Sequence, residues 1–275
     1  MSEEPAISKS GVNWTLLPRR AGDAVLDMID VYGETLATSG RRMGWSTFCP
    51  SENAYRTAVW RLQKAGVLAR RGAGKRDAAL ELTPKAGWRR KRDLFNPDRF
   101  WKQKWRGLWS ILTYDIEEKQ RKFRDAFRRL LIQEGMGCLQ RSVWISPYDI
   151  RSQYDELIRT MNIDFVSYLF EARTVLGRTD TELVRGAWDL ESLGERQRSY
   201  IDGCRQALEI LHAGVSSPEA VERLASEEIA AYLAAMNKDP LLPKALLPPT
   251  YRGTDVLAEH RCFVETVQRH MVGAH

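Results

Sequence analysis

Between Ser51 and Thr83 a helix-like pattern runs straight into two short apolar segments around a tip of glycines and cations, and few small folds accept that order. Pro50-Ser51 supplies a start signal, with Ser51 placed to cap a helix that runs to about Ala65. At about 100° per residue, Tyr55, Ala58, Val59 and Leu62 share one face, and Asn53, Arg56, Thr57, Trp60, Arg61 and Lys64 share the other. Gly66 ends the helix. Val67-Leu68-Ala69 and Ala79-Leu80-Glu81-Leu82-Thr83 read as strands, with Arg70-Arg71-Gly72-Ala73-Gly74-Lys75-Arg76 as the basic tip between them. Helix, strand, basic loop, strand is the order of a winged helix-turn-helix, whose helix reads a groove while the wing lies along the phosphate backbone. An earlier helix is predicted from about Asp23 to Thr38, and Ser39–Pro50 leaves room for one or two turns at most between the two.

The charge falls on the same stretch. From Arg41 to Arg106 there are 18 Lys/Arg against 5 Asp/Glu, whereas the rest of the chain carries 24 against 31. The overall +6 therefore conceals a basic segment on an otherwise acidic protein, the electrostatic footprint of nucleic-acid binding. A charge run by itself is more often a solvated face. Here the second face of the helix also carries the residue types that read a duplex: Asn and Arg make bidentate contacts to base edges, and Lys neutralises phosphate. Asn53, Arg56, Thr57 and Trp60 are assigned to bases, and Arg61, Lys64, Arg70, Arg71, Lys75 and Arg76 to phosphates. Lys85, Arg89, Arg90, Lys91 and Arg92 extend the basic surface beyond the second strand.

Other classes find little support. No apolar run approaches the ~20 residues that span a bilayer, and the N-terminal stretch opens with acids and lacks the apolar core of a secretion signal. Cys49, Cys138, Cys204 and Cys262 are scattered, with no CxxC pair, which suits a reducing cytoplasm and argues against disulfides or zinc. His212, His260, His270 and His275 form no metal-ligand spacing and read as surface or packing residues. There is no P-loop, GxGxxG or GxSxG, so no cofactor or metal is expected, and any enzymatic chemistry would rest on carboxylates.

After the basic third, Leu108–Ile116 is a β-prone run followed by a helix from about Glu118 to Glu134, which Gly135 and Gly137 stop. Cys138–Ile145 reads as a second strand, Asp149–Met161 as a helix and Asp164–Phe170 as a third strand. This alternation points to a ferredoxin-like α+β domain. Asp115, at the end of the first strand, is the one acid there that could hold a divalent cation in a metal-dependent nuclease; its structural reading is a strand-end turn or helix cap. Helices are expected at Asp180–Leu193, Glu195–His212, Pro218–Met236 and Gly253–Met271. The proline-rich stretch DPLLPKALLPPTY, between the last two helices, is too apolar for a free linker and is expected to lie against the C-terminal helical domain. Trp144 and Trp188 could line a ligand cavity, but read as core.

Taken in order, YRTAVWRLQKAGVLARR with LELTPKAG, WRGLWSILTYDIEEKQRKFRDAFRRLL with GMGCLQRSVWISP, LVRGAWDLESL, and DPLLPKALLPPTYRG resemble the PaaX family of bacterial transcriptional repressors, across about residues 23–270. The resemblance implies a repressor that binds operator DNA as a homodimer and releases it when an aryl-acyl-CoA binds. It also implies a middle domain like the small CRISPR-associated nuclease of spacer acquisition, whose strand-end aspartate would be Asp115. The combined expectation is an α+β protein with three domains. Residues 20–95 form a winged helix, 96–178 a ferredoxin-like domain and 179–275 a helical domain. Its function is that of a cytoplasmic regulator binding double-stranded DNA, not an enzyme; the alternative is a nuclease or nucleic-acid scaffold built on the middle domain.

Overall fold

The computed structural model describes residues 10–38, 48–71, 79–83, 94–161, 163–175, 177–214 and 217–273. The chain forms two compact units: residues 1–91, 195–237 and 252–275 make the first, and residues 92–194 and 238–251 the second.

The first unit contains α1 (Ala21–Thr38), α2 (Glu52–Lys64) and the antiparallel hairpin of β1 (Leu68–Arg71) and β2 (Ala79–Leu82). The Ser51 hydroxyl accepts the Ala54 N–H at 3.2 Å, which satisfies one of the free donors at the start of α2. At the other end Gly66 takes a left-handed φ of 69°. The Gly66 N–H then donates to the Gln63 carbonyl and the Val67 N–H to the Leu62 carbonyl, both at 2.9 Å, closing the helix into the first strand. Thr83 locks the far side of the hairpin: its hydroxyl donates to the Gly66 carbonyl at 2.6 Å and its N–H to the Val67 carbonyl at 3.0 Å. Val25, Leu26 and Ile29 of α1 share one core with Ala58, Val59 and Leu62 of α2 and with Val67 and Leu68.

The first unit also includes, from the C-terminal third, residues 195–212 of α7 (Leu190–His212), together with α8 (Pro218–Met236) and α9 (Gly253–Gly273). α1 packs on α8 and α9. The segment before α1 is part of this core, because Val12, Trp14 and Leu16 are buried and the Leu17 N–H donates to the Ala230 carbonyl at 3.1 Å. Arg19 pairs with Asp27 at 3.1 Å, and burial lowers its pKa from the ordinary arginine value. Glu228 of α8 is fully buried and accepts from the Tyr200 hydroxyl of α7 at 2.5 Å, with His260 Nδ1 of α9 at 2.7 Å from the same oxygen. Burial, followed by the Glu228 charge, pushes the Tyr32 and Tyr200 hydroxyls well above the usual tyrosine range. His260 is thus a packing histidine stacked on Tyr232, ring centres 4.1 Å apart.

The second unit opens with the short helix α3 (Asp98–Trp101) and is built on a four-stranded antiparallel sheet, β4-β5-β3-β6, in which β3 is Trp109–Tyr114, β4 Gly137–Gln140, β5 Val143–Ser146 and β6 Ser167–Ala172. α4 (Arg121–Gln133) links β3 to β4, and α5 (Arg151–Met161) links β5 to β6. β5 and β6 flank β3 on opposite sides, which is the ferredoxin-like arrangement. Alternation along β3 sends Leu112 and Tyr114 toward Phe127, Leu131 and Leu157 of the two helices. Trp109 faces the other way and packs with Ile145, with Leu183 and Val184 of α6 (Asp180–Ala187), and with Leu242 and Leu246. The proline-rich stretch is packed down, but against the sheet of the second unit and as part of that unit, where the sequence reading assigned it to the C-terminal helical domain. Leu241 sits there at φ 52°, held by its N–H to the Asp239 carboxylate at 2.8 Å and by the Tyr148 hydroxyl, which donates to its carbonyl.

Three local readings are corrected. Cys138–Ile145 is a hairpin of β4 and β5, joined through Arg141-Ser142 and bearing a bulge between Cys138 and Gln140. The third strand begins at Ser167, after a turn at residues 164–166, and runs on to Ala172. The helix expected over Asp180–Leu193 breaks at Trp188-Asp189, because Trp188 is extended and its indole N–H donates to the Gly135 carbonyl at 3.2 Å. The Asp189 carboxylate then accepts the Ser192 N–H at 3.1 Å and starts α7, which passes through Gly194 without interruption. Trp144 is core, and Trp188 packs against the Trp109 cluster.

Candidate nucleic-acid interface

α2 presents its polar face as its sequence spacing requires. With Ala58, Val59 and Leu62 buried, Asn53, Arg56, Trp60, Arg61 and Lys64 are exposed and Thr57 is half-buried. Trp60 leaves 58% of its surface in solvent, a large apolar plane on an otherwise charged helix face. The Lys64 ammonium lies 5.0 Å from the Trp60 ring centre, within cation–π range. Arg56 reaches back to Glu52 at 2.6 Å, with both side chains largely exposed. Such exposed i,i+4 pairs are worth ~0.3–0.5 kcal/mol, so the guanidinium can be handed to a base edge at little cost. The sequence reading missed Glu52, although its four-residue spacing from Arg56 was a visible signal.

Arg70 is exposed on β1 and close enough to Tyr55 to offset part of the upward pKa shift that burial imposes on that hydroxyl. Arg71 ends β1, and its side chain lies outside the described residues. Lys75 and Arg76, Lys85, and Arg89, Arg90, Lys91 and Arg92 also lie outside them, as does most of the Ser39–Pro50 connection.

Asp115 is exposed at the end of β3, where its N–H donates to the Val166 carbonyl at 2.8 Å. Among the described residues no three His, Cys, Asp or Glu side chains gather in a way that could hold a metal ion. Among the described residues no helix is long and apolar enough to cross a membrane.

The two folded units define an α+β protein in which a helix-and-hairpin segment with a basic outer face is carried in one chain with a ferredoxin-like sheet and a C-terminal group of helices. Residues 102–184 match the family model for the PaaX protein central Cas2-like domain, and residues 188–272 that for the PaaX-like protein C-terminal domain. The chain belongs to the PaaX family of transcriptional repressors. It is 25% identical over 241 residues to the transcriptional repressor PaaX of Escherichia coli (strain K12), covering 81% of this chain and 73% of that one. It shares its fold with the uncharacterized protein Rv0674 from Mycobacterium tuberculosis, at a TM-score of 0.58 and 20% identity over 92% of this chain and 97% of that one.

Proposed function

We propose that this protein is a DNA-binding repressor of a catabolic operon, working in the cytoplasm as a homodimer and controlled by an acyl-CoA-like small molecule, by analogy with its PaaX relatives. The single observation that supports duplex binding most is the outer face of α2. Asn53, Arg56 and Trp60 stand in solvent beside Arg61 and Lys64, while the opposite side of the helix is anchored in the core. Asn53, Arg56, Thr57 and Trp60 are the groups for base edges, and Arg61, Lys64, Arg70, Arg71, Lys75 and Arg76 those for phosphates. In this reading residues 20–95 are the winged-helix DNA reader, 96–178 the ferredoxin-like segment and 179–275 the helical segment. α1 joins the reader to the C-terminal helices, since Val25, Leu26 and Ile29 pack on α2 while the same helix packs on α8 and α9.

The test is selection of bound sequences from a random duplex pool, followed by binding titrations with and without aryl-acyl-CoA. An enriched half-site whose binding falls on adding the thioester supports the reading. A pool that enriches nothing over generic duplex rejects specific DNA reading.

A further inference from the structure

α4 of the second unit is more cationic than the helix proposed to read DNA. It carries Arg121, Lys122, Arg124, Arg128 and Arg129 against the single acid Asp125, where α2 carries Arg56, Arg61 and Lys64 against Glu52. The chain outside Arg41–Arg106 has 24 Lys/Arg against 31 Asp/Glu, so this concentration stands out from an acidic background. Phe127 and Leu131 fix the inner side of α4 in the core under the sheet. At about 100° per residue, Arg121, Lys122 and Arg129 fall on the opposite side, and all three are exposed. Lys122 and Arg129 stand two turns apart, about 10.5 Å along the axis.

The carboxylates nearby are taken by other cations: Glu117 by Lys119, Glu118 by Arg124 and Asp125 by Arg121. Lys122, Arg128, Arg129 and Arg141 are left without one among the described residues. The Arg128 guanidinium lies 6.0 Å from the Trp144 ring centre. Arg141 is exposed at the β4–β5 turn, where its carbonyl accepts from the Tyr114 hydroxyl at 3.0 Å. Arg124 first, then Arg121 and Arg141, hold the Glu118 carboxyl below its usual range, so the turn and the helix share one field. Helices favour acids in the first turn, at the positive end of the macrodipole. α4 has none there; Arg121 and Lys122 occupy it, and Gln120 before it makes no side-chain cap. A face kept only for solubility mixes both signs. Cations stacked on a positive helix end are instead relieved by an anion from outside.

We propose that the outer face of α4, with Arg141 of the adjoining turn, is a second contact for the phosphate backbone of duplex DNA, independent of sequence. Arginine forks suit phosphate oxygens, and α4 has no counterpart of Asn53 or Thr57 to question a base edge. α2 then selects the site, while α4 adds affinity and salt dependence on whatever sequence lies beside it. The inference rests on the regulator reading, which is what brings a duplex to the protein.

The experiment titrates the full chain, by fluorescence anisotropy over a range of salt, against a duplex carrying the selected site between unselected flanks. Four proteins are compared: the wild type, Lys122→Gln with Arg129→Gln, the conservative Lys122→Arg with Arg129→Lys, and Arg198→Gln with Lys238→Gln, which removes equal charge at exposed positions elsewhere. The first glutamine pair should flatten the plot of log affinity against log salt by about 1.8, two phosphates at about 0.9 each. Its melting temperature and its preference among single-base variants of the site should stay those of the wild type. The conservative pair and the distant pair should keep the wild-type slope. An unmoved slope for the Lys122/Arg129 glutamine pair, an equal flattening by the distant pair, or a changed base preference overturns the contact. A wild type that binds no duplex overturns the regulator reading together with it. A wild type whose binding depends on Arg61 and Lys64 but not on Lys122 and Arg129 removes this contact alone.

Discussion

Lys64 holds its ammonium 5.0 Å from the centre of the Trp60 indole, on the side of α2 turned away from the core. The pair joins a point charge suited to phosphate with a plane suited to apolar contact; Trp60 sits one turn from Arg56, and Lys64 one turn from Arg61. In the proposed interface Lys64 is a phosphate group. We expect Lys64→Ala to weaken binding to all duplexes alike and to lower the salt slope by about one counterion. Anisotropy titrations at several salt concentrations, on two unrelated sequences, check this. A loss confined to one sequence would place Lys64 on a base instead.

Arg56 should behave differently. Its only carboxylate contact among the described residues is the exposed Glu52 pair, which is too weak to hold it away from a groove. Replacing Arg56 by Ala should cost ~1–3 kcal/mol on the preferred site and relax selectivity at one base position. The measurement compares binding of the selected site with its single-base variants. Equal losses on all of them would move Arg56 to the backbone-contacting set.

In the sequence Gly137 stands out only as a stop for the preceding helix. Gly135 does that work, at φ 80°, while Gly137 lies where a Cβ would come 2.6 Å from both the Ala187 Cβ and the Trp188 ring. We expect Gly137→Ala to destabilise the protein by ~1–3 kcal/mol through overpacking of β4 against α6. Gly177→Ala, in open space but at φ 79°, is a control for backbone strain without collision. Denaturant midpoints should fall further for Gly137→Ala.

These cases show what the chain disclosed and what it withheld. α2 was legible because its signals are local: the Ser51 cap, the three-and-four spacing of Ala58, Val59 and Leu62, and the Gly66 stop. The β4–β5 hairpin was not, because Arg141-Ser142 carries none of the Gly, Asn or Asp that mark tight turns. The helix break at Trp188 depends on an indole bond to Gly135, 53 residues away in sequence, which no local pattern records. The same holds for His260, whose partner Glu228 is 32 residues distant. Val12, Trp14 and Leu16 did alternate with polar residues, a period-two signal that the reading of the N-terminus passed over. At the interface, the helix face emerged from periodicity alone, whereas the Trp60–Lys64 contact required coordinates.

Acid titration offers a check on the second unit. Asp149 accepts from the Arg151 side chain at 2.9 Å and from its backbone N–H at 3.1 Å, and these bonds lower its pKa from 3.8 to about 2. A pKa lowered by folding contributes stability that is present above pH 3.8 and is lost as pH falls through about 2. Because the pair is at the surface, the contribution is small and screened. A carboxyl NMR titration should place the Asp149 midpoint near 2 in the wild type and return it toward 3.8 in Arg151→Ala. A midpoint unmoved by that substitution would remove Arg151 as the cause.

In the proposed function the outer face of α2 holds a duplex. Its most direct measurement is the salt dependence of duplex binding by the wild type beside a triple variant, Arg56→Ala, Arg61→Ala and Lys64→Ala. The expected result is affinity that falls linearly on a log–log plot for the wild type, with weaker binding and a shallower slope for the triple variant. Binding that is absent at low salt, or equal slopes for the two proteins, would contradict it.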